Sequence, residues 1–471
     1  MHAEHTAWLP RLADKDKPVY LAIADAIADD IRDGRLAPGR RLPPQRVLAE
    51  QLGLDLTTVT RAYSEARRRG LLDGRVGQGT FVRPPEPAPA PLPMEIGDAV
   101  RRAFVDMTMN QPPLPNAPEL LAHVHQSMAR AIARTDPRSI LRYPEVGAGL
   151  KDREAGVQWL SRRLPDLTTE RVLLCPGTQS ALMCVLSTIA AAGDTVCAEA
   201  LTYPGFKALA RQLGLRIVGV AMDEHGLDPD GLRAAFSEHR PKALYCTPTL
   251  HNPTTATMPL ERRQAIAAVA REHGVPVIED DIYGVLPEAG PPPIAALLPE
   301  LTYHVAGLAK CVSPGLRVTY VAAPDARQAL RLIAAQRATM LAMPPVLAAI
   351  ATQWIGDGTA DRLLLAVRSE AVIRQRMAQQ TLPPGSFAAH PEGFHLWLFL
   401  PAAWTRGEFA THLRTRGIST IVSDTFAVAE PAPEALRICL GAPDSQDDTQ
   451  RVLDLLADAL DQSPALAGVV V

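Results

Sequence analysis

No stretch of about twenty apolar residues free of charge occurs in this 471-residue sequence, so no membrane-spanning helix is expected. Residues 1–20 lack a basic stretch followed by an apolar core, so no secretory signal is expected either. Cysteine is scarce: Cys175, Cys184, Cys197, Cys246, Cys311 and Cys439. None are spaced as C-x-x-C, and several lie in apolar runs. They read as reduced core residues of a cytoplasmic protein, with no zinc or disulfide framework and no metal site. No internal repeat is found. Net charge is only −3, which points to no partner until it is divided. What is present is ordinary globular composition, 47 % hydrophobic and 21 % charged, with length for more than one domain.

Dividing the charge is informative. Residues 1–83 carry 14 basic and 11 acidic side chains, and the remainder carries 34 and 40. Within the first part, residues 36–83 hold 9 basic and 4 acidic side chains. A small basic module precedes a larger acidic one, as in a nucleic-acid-binding head, although a solvated basic surface gives the same count. Between them lies RPPEPAPAPLP, residues 83–93. Proline at nearly every second position forbids helix and central strand. Such a spacer extends about 3.1 Å per residue, so ten residues reach roughly 30 Å. The expected domains are residues 1–82, a linker over 83–98, and residues 99–471.

After Pro18, the residues Tyr20, Ile23, Ala24, Ile27 and Ile31 recur at helical spacing, with Gly34 as the stop. Val47, Leu48 and Leu52 give a short second helix ending at Gly53. Asp55 caps a third, whose buried face is Val59, Ala62, Tyr63 and Ala66. Two short helices across a tight turn predict a helix-turn-helix. LLDGRVGQGTFV then reads as strand, Asp73-Gly74 turn, strand: a hairpin wing. The outer side of the third helix offers Thr57, Thr58, Thr60 and Arg61, groups that reach base edges and phosphates in a major groove. Arg46 and the wing's Arg75 and Gln78 flank it. Gly77 and Gly79 allow close backbone approach to a phosphate. A winged helix used only for protein contacts is the alternative, and the basic excess argues against it.

GRLAPGRRLPPQRVLAEQLG, TTVTRAY, GLL and GQGTFV occur in this order. On these motifs the segment resembles the winged helix-turn-helix of GntR-family bacterial transcription regulators. The resemblance implies that Arg46, Thr57, Thr58 and the wing residues Gly77, Gln78, Gly79 and Thr80 face a double-stranded DNA operator. The family commonly opens its recognition helix with arginine. Here that position is Leu56, which cannot make a bidentate guanine contact.

Past the linker, seven short apolar runs alternate with helical patterns: RVLLCPG, TVCAEAL, RIVGVAM, KALYCTPT, VPVIEDD, TYHVAGLAK and RVTYVAAP. Strands of this kind predict an α/β sheet buried on both faces, with its active groups at the carboxyl ends of the strands. Pro176-Gly177-Thr178-Gln179-Ser180 opens a helix and makes a phosphate cradle. Thr202-Tyr203-Pro204-Gly205 is a turn presenting an aromatic ring. LHNPTT presents Asn252, and VPVIE leads into Asp280-Asp281-Ile282-Tyr283. VAGLA leads to Lys310, with Arg317 seven positions on.

Each feature alone is a turn, a cap or a solvated charge, and a lone lysine at a strand end ordinarily snorkels. Together they describe one chemistry. A lysine in a dry site bonds an aldehyde as a Schiff base. A carboxylate on a pyridine nitrogen keeps that ring an electron sink. An aromatic ring stacks, an asparagine and a tyrosine reach a phenolic oxygen, and a glycine cradle with an arginine holds a phosphate. The cofactor read from this set is pyridoxal 5′-phosphate on Lys310.

RYPEVGAGLKDREAGVQWL, PGTQSALMCVL, GDTVCAEALTYPGF, TPTLHNPTT, IEDDIYG, AKCVSPGLR and ALRICLG extend the case over about residues 100–465. The segment resembles the fold-type I aminotransferases. This implies a large α/β domain with a smaller α+β C-terminal subdomain. It also implies Asp280 at the pyridine nitrogen, Tyr283 and Asn252 near the phenolic oxygen, and Tyr203 stacked on the ring. Gly177, Thr178, Gln179 and Arg317 would hold the phosphate, Arg437 a substrate carboxylate, and Tyr143 the phosphate of a second subunit in a homodimer. Where the family usually has Ser or Thr three residues before the lysine and Ser just before it, this chain has Gly307 and Ala309. Its NPTT replaces the usual NPTG. A GntR-type head on such a domain resembles the MocR subfamily of regulators, whose effector here would be an amine, an amino acid or the vitamer itself. A working aminotransferase with an accessory DNA-binding head, and an interaction protein with a dead pocket, are the alternatives.

Overall fold

The structure is a computed structural model and describes residues 8–10, 17–75, 79–83, 104–429 and 431–462. It divides into two compact units, Met1–Gly97 and Asp98–Val471.

In the first unit, α1 (Val19–Arg32), α2 (Gln45–Leu52) and α3 (Leu56–Arg68) are followed by β1 (Leu72–Arg75) and β2 (Gly79–Val82). The carboxylate of Asp55 accepts from the Thr57 amide at 2.7 Å, which fixes where α3 begins. Gly53 closes α2 in the left-handed conformation, φ 62°. Val59, Ala62, Tyr63 and Ala66 are buried against Ile23, Ile27 and Leu48, and large aliphatic or aromatic side chains contribute about 1.5–3 kcal/mol each when so placed. Tyr63 satisfies its hydroxyl by donating to the Pro43 carbonyl at 2.9 Å.

The expected Asp73-Gly74 turn is corrected. Both residues lie inside β1, opposite Phe81 and Thr80 in the antiparallel ladder. Gly74 serves close approach instead: a Cβ there would meet the Arg67 guanidinium at 2.9 Å. Residues 76–78 lie outside the described residues.

The second unit is built on the seven apolar runs, each of which supplies a strand: β4 (Val172–Cys175), β5 (Thr195–Glu199), β6 (Arg216–Val220), β9 (Ala243–Cys246), β10 (Val277–Asp280), β11 (Thr302–Gly307) and β12 (Thr319–Ala322). They form one sheet in the order β4-β12-β11-β10-β9-β5-β6. A minor hairpin, β7 (Met222–Asp223) with β8 (Gly226–Leu227), hangs beside it. Alternate side chains enter different layers. Ala243 and Tyr245 pack with the helices Thr178–Ile189 and Pro204–Gln212. Leu244 and Cys246 pack with Pro229–His239 and Leu260–His273. Both faces are dry, which is why the strands read as continuous apolar runs.

β12 alone runs antiparallel, to β11 and to β4. The connection from β11 to β12 therefore turns back at the carboxyl edge of the parallel strands, carrying Lys310 and Arg317 there. Lys310 stands three residues beyond the strand, which ends at Gly307, rather than at its last position.

A smaller four-stranded antiparallel sheet follows, in the order β13 (Phe387–Ala389), β14 (His395–Phe399), β17 (Ala435–Cys439) and β16 (Ile421–Val422). The helices Arg406–Thr415 and Gln446–Asp461 pack on it, making an α+β subdomain. The first described segment after the linker joins this subdomain: β3 (Val105–Asp106) pairs in parallel with β15 (Ile418–Ser419).

Candidate functional site

In the head, Arg46, Thr57, Thr60 and Arg61 are exposed and Thr58 is half-buried. Two of these side chains are already oriented. The Thr60 hydroxyl donates to Gln45 at 2.9 Å, and the Arg61 guanidinium lies 4.7 Å over the Tyr20 ring. Arg75 is the last residue of β1, and Gly77 and Gln78 lie outside the described residues. Thr80 does not point outward as expected. It is buried, and its hydroxyl accepts from Arg67 at 3.0 Å, because its position in β2 alternates inward. Gly79 leaves room for a residue the sequence reading passed over: a Cβ there would meet Arg41 Nε at 2.8 Å.

In the second unit, most of the expected residues converge at the carboxyl edge of the sheet. Gly177, φ 97°, caps the helix Thr178–Ile189 just after β4. A side chain at this position would collide with the Arg317 guanidinium, 2.5 Å from its Cβ, so glycine is what lets Arg317 reach the helix N-terminus. Tyr203, half-buried, caps Pro204–Gln212. Pro204 and Gly205, expected within a turn, are therefore the first turn of a helix, proline having no N–H to lose at that position. Burial raises the Tyr203 phenol above its ordinary value.

Three consecutive acids, Glu279 and Asp280 at the end of β10 and Asp281 just after it, are told apart by their partners. Both Glu279 oxygens accept backbone amides, those of Ile294 and Ala295, at 2.8 Å each. Burial opposes the charge of Asp281, but His304 and Arg163, each at 3.1 Å, hold it below the ordinary range. Among the described residues the side-chain donor to Asp280 is the neutral Tyr245 hydroxyl, at 2.7 Å on one oxygen. Its other oxygen is buried with no partner among the described residues, and burial pushes this carboxyl up to about 6. A buried acceptor with no donor calls for a cationic or N–H group that the described residues do not supply.

Lys310 is drawn down to about 8, first by burial. Its ammonium donates to the Asn110 carbonyl. Tyr283 is buried, and its hydroxyl accepts from Asn110 Nδ2 at 2.8 Å. Arg437, on β17, is 3 % exposed. It donates to Asn252 Oδ1 at 3.3 Å and to the Thr108 carbonyl, and its Nε has no partner among the described residues. Burial lowers its guanidinium. Thus backbone carbonyls of residues 108 and 110 accept from two of the cationic groups of the site, Lys310 and Arg437. Tyr143 is not among this cluster. It is 89 % exposed and lines a separate cleft of about 1150 Å³ with Arg138 and Lys151.

Asn110, Tyr245 and Thr319 escaped the sequence reading. Tyr245 stands in an apolar run, where strand alternation alone marks it as inward; it stacks on Phe206 at 4.0 Å. Asn110 lies in a segment with no periodicity, so no sequence signal marked it. Glu199 was passed over for the same reason as Tyr245. It is fully buried, accepts from the Thr247 amide at 2.7 Å and is pushed up to about 8 by burial. A carboxyl raised in this way stabilises the fold fully below its unfolded value, and that contribution is lost as pH rises through about 8. Glu199→Gln should therefore gain stability relative to wild type by roughly 3 kcal/mol between pH 5 and pH 8. Urea melts at the two values check this, and a gain independent of pH contradicts it.

A doubly covered, mainly parallel sheet with a lysine, an unmatched carboxylate and a glycine–arginine cradle at its carboxyl edge defines a fold-type I, pyridoxal-phosphate-type domain. Residues 102–456 match the aminotransferase class I and II family, and residues 19–82 match the bacterial regulatory proteins of the gntR family. The chain belongs to the aminotransferase class I and II family and carries a GntR-type DNA-binding head, the arrangement of MocR-type regulators. It is similar to an uncharacterized HTH-type transcriptional regulator, YdeF, of Bacillus subtilis, 28 % identical over 97 % of both chains. It is 30 % identical to a 2-aminoadipate transaminase of Thermus thermophilus, over 60 % of this chain and 73 % of that one. The fold matches the crystal structure of LysN, an α-aminoadipate aminotransferase from Thermus thermophilus, with a TM-score of 0.69 at 23 % identity over 78 % of this chain and 95 % of that one.

The family and fold imply pyridoxal 5′-phosphate, and the residues fit it. The unpartnered Asp280 oxygen suits a protonated ring nitrogen, the Gly177–Arg317 contact suits a phosphate, and a lysine near 8 suits an aldehyde. Among the described residues no helix is long and apolar enough to cross a membrane, and no cluster of metal-ligating side chains occurs.

Proposed function

We propose that the chain is a cytoplasmic transcription regulator whose aminotransferase-like domain binds pyridoxal 5′-phosphate and senses an amine, an amino acid or the vitamer. Lys310 bonds the aldehyde, Asp280 pairs with the ring nitrogen, and Tyr283 and Asn252 address the phenolic oxygen. Tyr203 stacks on the ring. Gly177, Thr178, Gln179 and Arg317 hold the phosphate, and Arg437 takes a substrate carboxylate. When bound, the cofactor supplies an electron sink for amine chemistry. At neutral pH a Lys310 near 8 keeps a neutral fraction, so Nζ accepts a proton or attacks a carbonyl without a separate base. Two copies pair, with Tyr143 reaching the phosphate site of the second copy. Its exposure supports this, because a lone tyrosine ring gains little by facing water. Arg46, Thr57, Thr58, Thr60 and Arg61, with the wing around Arg75, Gly77, Gln78 and Gly79, contact the operator. Residues 1–82 form the head and 83–98 the linker.

One observation carries the sensing role. The carbonyls of Thr108 and Asn110 accept from Arg437 and Lys310. These carbonyls lie on the stretch that follows the linker in sequence. A carboxylate on Arg437 and an aldehyde on Lys310 displace both contacts, so ligand binding is a competition with the start of this unit. Such a ligand shifts the head only insofar as it prefers one arrangement. The test is selection of an operator with the full chain at stated salt, followed by affinity measurements with the cofactor and a panel of amino compounds. The expected result is a change of about tenfold, or 1.4 kcal/mol, for at least one compound. Affinity that no compound alters contradicts the proposal.

A second reading, a working aminotransferase with an accessory head, is favoured by the presence of Lys310, Asp280 and Arg437 in one site. Amino-acid turnover no faster than that of free cofactor removes it.

A further inference from the structure

A buried hydroxyl, of Thr319, and a half-buried one, of Thr178, meet beside the phosphate cradle. β11 and β12 pair so that Gly307 stands directly opposite Thr319. Thr319 is 0 % exposed, and its hydroxyl lies 3.3 Å from that of Thr178, the first residue of the helix that Gly177 caps. A Cβ on Gly307 would stand 2.8 Å from Thr319 Oγ1 and 3.2 Å from Thr178 Oγ1. Thr319 Oγ1 thus takes the space that any side chain at 307 would claim. Arg317, two residues before Thr319, brings its guanidinium to the same helix N-terminus at Gly177.

Each hydroxyl carries one donor hydrogen. A pair that meets only each other uses one hydrogen and leaves the second without an acceptor. Among the described residues neither hydroxyl has another hydrogen-bond partner. A buried hydroxyl left in that state is destabilising, and an anion in the cradle relieves it. The ligand chemistry that fits is a dianionic phosphate monoester: three acceptor oxygens facing two hydroxyls, one guanidinium and the amides of a helix N-terminus.

Resting on the cofactor reading above, we propose that Thr319 is a phosphate-binding residue of this site, donating its hydroxyl beside Thr178 and Arg317, and that Gly307 is required to make room for it. The hydroxyl reaches the phosphate from the antiparallel strand β12 rather than from β11.

The experiment titrates the full chain with pyridoxal 5′-phosphate and, separately, with pyridoxal, which has the aldehyde and ring but no phosphate. Visible absorbance is the readout. Thr319→Val, nearly isosteric, is expected to weaken phosphate-ester binding about tenfold, the loss of one charge-assisted hydrogen bond, and to leave pyridoxal binding unchanged. Thr319→Ser, which keeps the hydroxyl, is expected to bind both as wild type does. Thr319→Val that binds the phosphate ester normally, or that loses both ligands equally, overturns the assignment. Wild type that binds neither ligand overturns the cofactor reading and this inference together; wild type that binds both with an indifferent Thr319→Val overturns this inference alone.

Discussion

Lys310→Ala is expected to abolish every response of operator binding to pyridoxal 5′-phosphate and amino compounds. Ligand-free operator affinity should stay within about twofold of wild type, under 0.5 kcal/mol. The separation follows from where the groups lie. The residues assigned to DNA are on α2, α3 and the wing, whereas Lys310 stands beyond β11 with its ammonium on the Asn110 carbonyl. Alanine removes the only side-chain amine assigned to the aldehyde and frees that carbonyl at the same time. The head should then keep its ligand-free behaviour whatever compound is added, and the response is lost. Fluorescence anisotropy on a selected operator at fixed salt measures it, and a variant that still responds contradicts the assignment of Lys310.

Asp280→Asn should weaken pyridoxal 5′-phosphate binding about thirtyfold or more, the scale on which losing one partner of a buried charge pair is felt. Asparagine keeps the shape and the bond to Tyr245, so the loss reports charge. The pH dependence adds a second signature. Burial pushes the Asp280 carboxyl up to about 6 in the free chain. Below that value it is protonated and cannot pair with a protonated ring nitrogen, so wild-type affinity should fall as pH drops from 7 to 5. The asparagine variant should lack that component. Absorbance titrations at the two values check both effects, and Asp280→Asn binding as tightly as wild type would remove Asp280 from the site.

Much of this was legible in the sequence because it depends on local rules. Seven apolar runs became the seven strands of one sheet, since strands buried on both faces cannot hide a polar alternation. Val59, Ala62, Tyr63 and Ala66 became the buried face of α3 because a helix repeats every 3.6 residues. Asp280, Lys310 and Gly177 could be singled out because they follow the carboxyl ends of parallel strands, where active groups of such sheets gather.

What was missed depends on which residue stands opposite which. Asp73-Gly74 is a turn signal in isolation, yet the ladder runs through it, and Gly74 leaves room for the Arg67 guanidinium. Thr80 points inward because of its register in β2, which a motif does not state. Thr319 stands against Gly307 because β12 runs antiparallel to β11 in that register. The roles of Asn110 and Thr108 come from backbone carbonyls, which no side-chain pattern encodes.

The most direct measurement is chemical mapping of the cofactor. The full chain is saturated with pyridoxal 5′-phosphate, borohydride fixes the cofactor to whichever amine it has bonded, and the digested peptides are weighed. One phosphopyridoxyl group per chain, on the peptide containing residue 310, is the expected result. A label spread over surface lysines such as Lys151 and Lys242, or no label at all, would contradict the site.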